Sequence, residues 1–214
     1  MTMTAKRTTD GKIEFTINVG GVYATREPTI IRTLLGSCIA VCLFDPIARA
    51  GGMNHFMLPA PVPGRPEPLE QARFGVHAMD RLIGALQKAG GDRRRLTAKV
   101  FGGGHVLESA RNGSSVAQRN IRFIDEYLRC EDIPVVGQDL GGELARQVYF
   151  HTDTGKVYVR RLRDASRRRF AEEQAHLRAL ALAPPRFGDV LLFDPVERPD
   201  QERPDEAEDP RPQG

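Results

Sequence analysis

Apolar and polar residues alternate near the start of the chain, from Ile13 through Phe15 and Ile17 to Val19. A repeat of two is typical of a strand with one buried face. Further short apolar runs, bounded by glycine or proline, predict strands at 96–101, 133–136, 147–151 and 156–160 and a hairpin within 33–57. The pattern therefore indicates a chain rich in short strands.

Two other segments repeat their apolar residues every three or four positions, which is the spacing of a helix with one apolar stripe. They cover 73–89, followed by a Gly90-Gly91 stop, and 118–130. Five prolines in and beside 60–70 predict a surface loop before the first helix. Strands in mixed order with two helices predict an α/β (α+β) fold, a layered sandwich of mixed β-sheet with covering helices.

The predicted hairpin brings a cysteine and a histidine onto neighbouring strands. If residues 45–48 form its loop, Phe44 lies opposite Arg49, and Cys38 then lies opposite His55. Directly opposed residues have Cβ atoms about 4.5–5.5 Å apart, which a thiol–imidazole hydrogen bond can span. A slip of one residue would move the two side chains to opposite faces.

Composition divides the chain into four parts. Residues 1–12 are polar and are expected to be flexible, whereas 13–162 hold the predicted strands and helices. Residues 163–194 form a basic extension, in which we predict a helix. Residues 195–214 are mostly Pro, Glu, Asp, Arg and Gln, which cannot offset chain entropy, so a disordered tail is expected.

Length and charge exclude several classes of protein. The 214 residues, 40% of them hydrophobic, can bury one substantial core, but no apolar run of about 18 residues predicts a membrane span. The N-terminus lacks the apolar core of a secretory signal, and three cysteines are too few for a disulfide scaffold, so a cytoplasmic setting is expected. With 31 basic and 28 acidic residues, the net charge of +3 gives no overall nucleic-acid footprint.

A cysteine beside a histidine is a candidate nucleophile with its base, because a thiolate attacks amides better than water and imidazole can carry the proton. Backbone N–H groups around Gly36 and Ser37 are candidate oxyanion donors. The alternative for Cys38 is simple packing, since free cysteines are often buried. We interpret Cys42 as core packing, and a zinc site of Cys38, Cys42 and His55 would lack the usual paired spacing.

Several motifs occur in one order along the chain: LGSCIAVCLFDP at 35–46, GGMNHFMLP at 51–59, RFG at 73–75, KVFGGG at 99–104, RN at 119–120 and DLGG at 139–142. In these motifs the chain resembles the CheD family of chemoreceptor glutamine deamidases. The similarity runs from about Ile13 to Arg161, so 13–162 is predicted to be a CheD-like domain. We interpret Asn120 and Asp139 as structural residues, a polar group at a helix end and a turn former.

The resemblance implies a cytoplasmic enzyme that hydrolyses particular receptor glutamines to glutamate and ammonia, with a fold similar to the cytotoxic-necrotizing-factor deamidase toxins. It also implies a Cys–His–Thr catalytic set, which Cys38 and His55 match. Some members place the threonine six residues before the cysteine, where this chain has Arg32, so the third role falls either to Thr33, five residues before the cysteine, or to another group. We expect no cofactor and no metal. The candidate substrate-binding residues are Gly36, Ser37, Asn54, Gly103 and His105.

Two functions stay open at this point. The first is a receptor glutamine deamidase, with a glutamyl methylesterase as a close variant in which methanol leaves instead of ammonia. The second is a non-catalytic adaptor that binds chemoreceptors or a CheC-type phosphatase, a partner of some family members. In either case we expect a monomer that neither inserts into a membrane nor binds nucleic acid.

Overall fold

The computed structural model describes residues 4–8, 11–58, 68–105 and 116–162, and for 4 and 68–72 the backbone alone. The described residues contain ten strands and two α-helices. In chain order these are β1 Thr4–Arg7, β2 Ile13–Thr16, β3 Val22–Thr25, β4 Thr29–Leu35, β5 Ile39–Asp45, β6 Ala50–Phe56, α1 Pro68–Lys88, β7 Thr97–Gly102, α2 Val116–Cys130, β8 Val135–Leu140, β9 Ala145–His151 and β10 Val157–Leu162.

The strands form two five-stranded sheets. The first sheet has the order β1-β2-β4-β9-β10, and the second has the order β3-β6-β5-β7-β8. Both are mixed, because β2 pairs with β4 and β7 pairs with β8 in parallel, whereas all the other neighbours are antiparallel. The predicted fold class, a layered α+β arrangement of mixed sheet with helices, is confirmed.

Two apolar layers hold these elements together. One lies between the two sheets and includes Ile31, Cys42 and Phe150. The other lies between the second sheet and the helices, with α1 against β3 and β6 and α2 against β7. Since the second sheet is covered on both faces, β5 is almost continuously apolar, and every residue of its neighbour β6 is buried.

The predicted register of the central hairpin is wrong by two positions. Asp45 pairs with Ala50, so the connection consists of 46–49, and His55 pairs with Ala40 instead of Cys38. The cause is Asp45, whose carboxylate accepts hydrogen bonds from the N–H groups of Ile47 and Ala48 at 2.9 and 3.1 Å and so closes the turn one residue later. A shift of two positions preserves the faces, so Cys38 and Ala40 still lie on one side.

Both predicted helices are present, and α1 is longer than expected. It starts at Pro68, inside the segment 60–70 that was predicted as a loop, because proline is tolerated in the first turn where its missing N–H has no partner to lose. The other residues of that segment, 60–67, lie outside the described residues. The Gly90-Gly91 stop is confirmed, with Gly90 at φ 89° and Gly91 N–H donating to the Leu86 carbonyl.

Two edge strands were not predicted. β1 lies within the polar segment 1–12 and pairs with β2, while β3 pairs with β6. Both have four residues, too few to show a repeat. The predicted extension 163–194 and tail 195–214 lie outside the described residues, so the division of the chain stays a prediction. Neither α1 nor α2 combines the length and apolar character that a membrane span requires.

Candidate active site

A threonine and a histidine meet between the two sheets. Thr33 comes from β4 of the first sheet and His55 from β6 of the second, and each exposes 1% of its surface. Thr33 Oγ1 lies 2.7 Å from His55 Nδ1, which is hydrogen-bond distance. Alternation along β4 directs Thr33 to the same side as Ile31 and Leu35, so the hydroxyl is built into the inter-sheet layer.

The hydrogen bonds of Thr33 assign the proton on the imidazole. The Thr33 hydroxyl donates to the Ile17 carbonyl at 2.8 Å, and a hydroxyl has one proton to donate. Thr33 Oγ1 must therefore accept from Nδ1–H of His55, which leaves the lone pair on Nε2. His55 Nε2 is buried and has no hydrogen-bond partner among the described residues. This nitrogen is thus in the state that a proton acceptor requires.

Burial also sets the charge of His55. It lowers the pKa of the imidazole to about 3, and the nearby Ile17 carbonyl opposes only part of that shift. The ring is therefore neutral at pH 7 in the resting protein. A neutral imidazole can accept a proton from a thiol, whereas an imidazolium cannot.

Cys38 lies immediately before β5 and exposes 1% of its surface. It belongs to the inter-sheet cluster together with Ala40 and Cys42. Because Ala40 is opposite His55, Cys38 is the diagonal neighbour of His55 on the same face. Diagonal positions on adjacent strands are about 7–8 Å apart, a distance that longer side chains can bridge.

Consecutive glycines support the backbone around Cys38. The N–H of Gly103 donates to the Cys38 carbonyl at 2.8 Å, and the N–H of Gly104 donates to the Gly36 carbonyl at 2.6 Å. Gly102 has a φ of 117°, and a Cβ there would lie 2.0 Å from the Cys38 carbonyl oxygen. No other residue type fits so close to the loop. The backbone N–H of Gly103, a predicted substrate-binding residue, is thus already used to hold the loop.

A second set of contacts supports the glycine segment in turn. The N–H of His105 donates to the Gly142 carbonyl, and the N–H of Gly141 donates to the Gly102 carbonyl. Arg146, which exposes 2%, holds this turn through the carboxylate of Asp139 and the carbonyl of Gly141. Burial lowers the pKa of Arg146, and the Asp139 charge opposes this.

Sequence reasoning missed Arg146. The available signal was its position in β9, where it shares the inward side with Val148 and Phe150. A charged residue at an inward position needs buried partners, and those are supplied by the 139–142 motif.

The structure does not bring Asn54 to the face that carries His55. As the residue before His55 in β6, Asn54 points the other way, toward α1, where it donates to the Ala78 carbonyl at 3.1 Å. Its Oδ1 accepts from the Val41 N–H. Arg32 likewise lies on the outer side of the first sheet, where it forms an ion pair with Glu14 at 3.1 Å. Neither residue is placed to assist the imidazole.

Burial raises the pKa of the Cys42 thiol, although the Lys99 charge opposes this, so Cys42 is a protonated packing residue in the inter-sheet layer. Within the part of the chain that the structure describes, no three His, Cys, Asp or Glu side chains are grouped as metal ligands are.

Comparison with known proteins places the chain in a family. A protein of Shewanella oneidensis, named as probable chemoreceptor glutamine deamidase CheD 1, is 43% identical over 175 residues, which is 81% of this chain and 84% of the relative. The chain belongs to the CheD family. The family model for CheD chemotactic sensory transduction matches residues 57–161 of this CheD protein.

Other relatives agree. A probable chemoreceptor glutamine deamidase CheD 2 of Chromobacterium violaceum is 48% identical over 144 residues, covering 67% of this chain and 71% of the relative. A protein of Stenotrophomonas maltophilia with the name probable chemoreceptor glutamine deamidase CheD is 42% identical over 168 residues, covering 78% and 83%. The resemblance inferred from the motifs is confirmed.

Proposed function

We propose that this CheD protein hydrolyses the side-chain amide of chemoreceptor glutamines, with Cys38 as nucleophile, His55 as base and Thr33 as the group that orients the base. The observation that carries the proposal is the 2.7 Å contact between Thr33 and His55 Nδ1, which leaves Nε2 without a partner on the face that carries Cys38. The names of the relatives support the choice of substrate.

The reaction has two halves. In the first, Nε2 of His55 takes the thiol proton of Cys38, and the thiolate attacks the glutamine carbonyl carbon. The tetrahedral intermediate then expels the nitrogen, which takes the proton from the imidazolium and leaves as ammonia, so that a thioester remains on Cys38. In the second half, Nε2 removes a proton from water, hydroxide attacks the thioester, and the thiol leaves with that proton as glutamate is formed.

The uncharged third group suits a buried site. An aspartate next to His55 would place a charge in the layer between the sheets, where an isolated charge is costly. Thr33 fixes the ring and its tautomer without a charge. Because burial disfavours the imidazolium, it forms only when the Cys38 thiolate is created beside it, and the two charges then stabilise each other.

Peptide geometry supports a proposal for the oxyanion donors. The Gly36 carbonyl accepts from Gly104 N–H and the Ser37 carbonyl accepts from Asn120 Nδ2 at 2.8 Å. In a trans peptide the C=O and N–H point in opposite directions. The N–H groups of Ser37 and Cys38 therefore point away from these supports, and we assign them as the donors to the developing oxyanion.

The test uses the purified chain and cytoplasmic domains of receptors from its own organism, with ammonia release and receptor mass as readouts. Wild type should raise the receptor mass by about one mass unit at discrete glutamines, because an amide becomes an acid. Cys38→Ala and His55→Ala should abolish the change. Cys42→Ala is the matched control, since it removes a buried thiol from the same face and should retain activity.

Undiminished activity in Cys38→Ala would overturn the nucleophile assignment. No conversion by wild type would favour the adaptor over the enzyme. Methanol release from methylated receptor, followed in the same variants, tests the methylesterase variant because the same thioester would form.

A further inference from the structure

The end of the β5–β6 ladder has an unusual arrangement. The last pair is Ile39 with Phe56, and continuing the same register by two positions pairs Ser37 with Leu58. His55 directs its N–H and C=O toward Gly21 and Gly20 on the β3 side. Alternation then directs the backbone groups of Phe56 and Leu58 toward β5. A regular ladder would contain a direct hydrogen bond from Leu58 N–H to the Ser37 carbonyl.

A side chain from α2 takes the place of that bond. Leu58 N–H donates to Asn120 Oδ1 at 2.9 Å, and Asn120 Nδ2 donates to the Ser37 carbonyl at 2.8 Å. Asn120 is fully buried, so both bonds are shielded from water. The carboxamide is thus inserted between the two strands as an extra rung.

An inserted amide separates two backbones in the same way as an intervening strand, by about 4.7–4.9 Å more than direct pairing. This wider separation lies between Ser37, the residue before Cys38, and Leu58, three residues after His55. The β5–β6 ladder fixes the opposite end of both strands. The rung therefore sets how far the Cys38 loop diverges from β6.

We propose that Asn120 is a positioning residue that holds Cys38 at its working distance from His55, an inference that rests on the proposed function. It also fixes the Ser37 carbonyl, and through that peptide unit the direction of the Cys38 N–H. This role requires a side chain of the length of asparagine that carries a hydrogen-bond donor and an acceptor next to each other. Alanine has neither group. In an ionised aspartate a carboxylate oxygen would face the Ser37 carbonyl oxygen, and two acceptors cannot form a hydrogen bond.

The test compares Asn120→Ala and Asn120→Asp with wild type, and Tyr127→Phe is the control. Tyr127 lies on the same helix and donates to Asp80 at 3.2 Å, so its loss removes a part-buried hydrogen bond of α2 at a distance from the site. Iodoacetamide labelling of Cys38 against pH, read by mass spectrometry of its peptide, needs no receptor. Both Asn120 variants should label about tenfold more slowly at neutral pH, and Tyr127→Phe should match wild type.

Deamidation kinetics add a second readout. In both Asn120 variants kcat should fall by about 10- to 100-fold with little change in KM, because misplacement affects the chemical step. The kcat of Asn120→Asp, divided by that of wild type at the same pH, should rise as pH falls. The reason is that a protonated carboxyl can donate to the Ser37 carbonyl and restore the rung. The same ratio for Asn120→Ala should not change with pH.

Wild-type labelling and kcat in a folded Asn120→Ala would overturn the proposal. If that variant does not fold, a pH-independent ratio for the isosteric Asn120→Asp would do so. A wild-type protein that labels at Cys38 but deamidates no receptor would contradict the proposed function instead, and the labelling comparison would still decide the role of Asn120.

Discussion

The buried, neutral His55 predicts a specific dependence of stability on pH. Its pKa is about 3 in the folded protein because of burial, against an ordinary value of 6.5 in the unfolded chain. Between these values the unfolded state binds more protons, so the free energy of unfolding falls as pH falls. One proton contributes about 1.4 kcal/mol per pH unit, so His55 should reduce stability by about 2 kcal/mol between pH 7 and pH 5, and by about 3 by pH 4.

The assay is urea unfolding of wild type and His55→Asn at pH 7, 5 and 4. Asparagine retains a donor for Thr33 but does not titrate, so the difference between the two proteins isolates the imidazole. Wild type should lose about 2 kcal/mol relative to the variant between pH 7 and 5. A constant difference across the range would refute the reasoning, because it would mean that His55 has the same pKa folded and unfolded.

Three further predictions concern Thr33, the hairpin turn at Asp45 and the glycines. Thr33→Val should lower kcat by about 10- to 100-fold with little change in KM, and Thr33→Ser should restore much of it, as steady-state kinetics will show. Asp45→Ala should lower the free energy of unfolding by about 3 kcal/mol in urea titrations, since it removes a buried carboxylate that closes the hairpin turn. Gly102→Ala should displace the Cys38 loop and abolish activity. Gly84 is a helical position where an added Cβ would meet no atom within 4 Å, so Gly84→Ala should raise the melting temperature in a thermal scan.

Local patterns were sufficient for the fold class. Alternation at Ile13–Val19 predicts a strand, of which β2 covers Ile13–Thr16, and the helical spacing after Arg73 predicts helix α1. The mixture of elements predicts the layered class. Pairing in two separate sheets was not predictable, because each sheet is assembled from strands distant in sequence. β4, for example, pairs with β9 across more than a hundred residues.

The candidate site was likewise predictable only in part. The motifs predict Cys38 and His55, with Thr33 as a candidate beside them, but the geometry of the three residues depends on contacts between the sheets and on a turn that Asp45 closes one residue later than expected. From the sequence alone, Asn120 is expected to be a structural polar group at a helix end. Its two bonds join segments 83 and 62 positions away along the chain, and no local pattern reports such a contact.

The most direct measurement is capture of the thioester. Wild type mixed with a receptor fragment and quenched in acid should show by intact mass a covalent adduct of the enzyme with the fragment minus ammonia. Peptide mapping should locate the adduct at Cys38, and hydroxylamine should release it. Cys38→Ala should form none and should not deamidate the fragment. Deamidation that continues in Cys38→Ala would contradict the account.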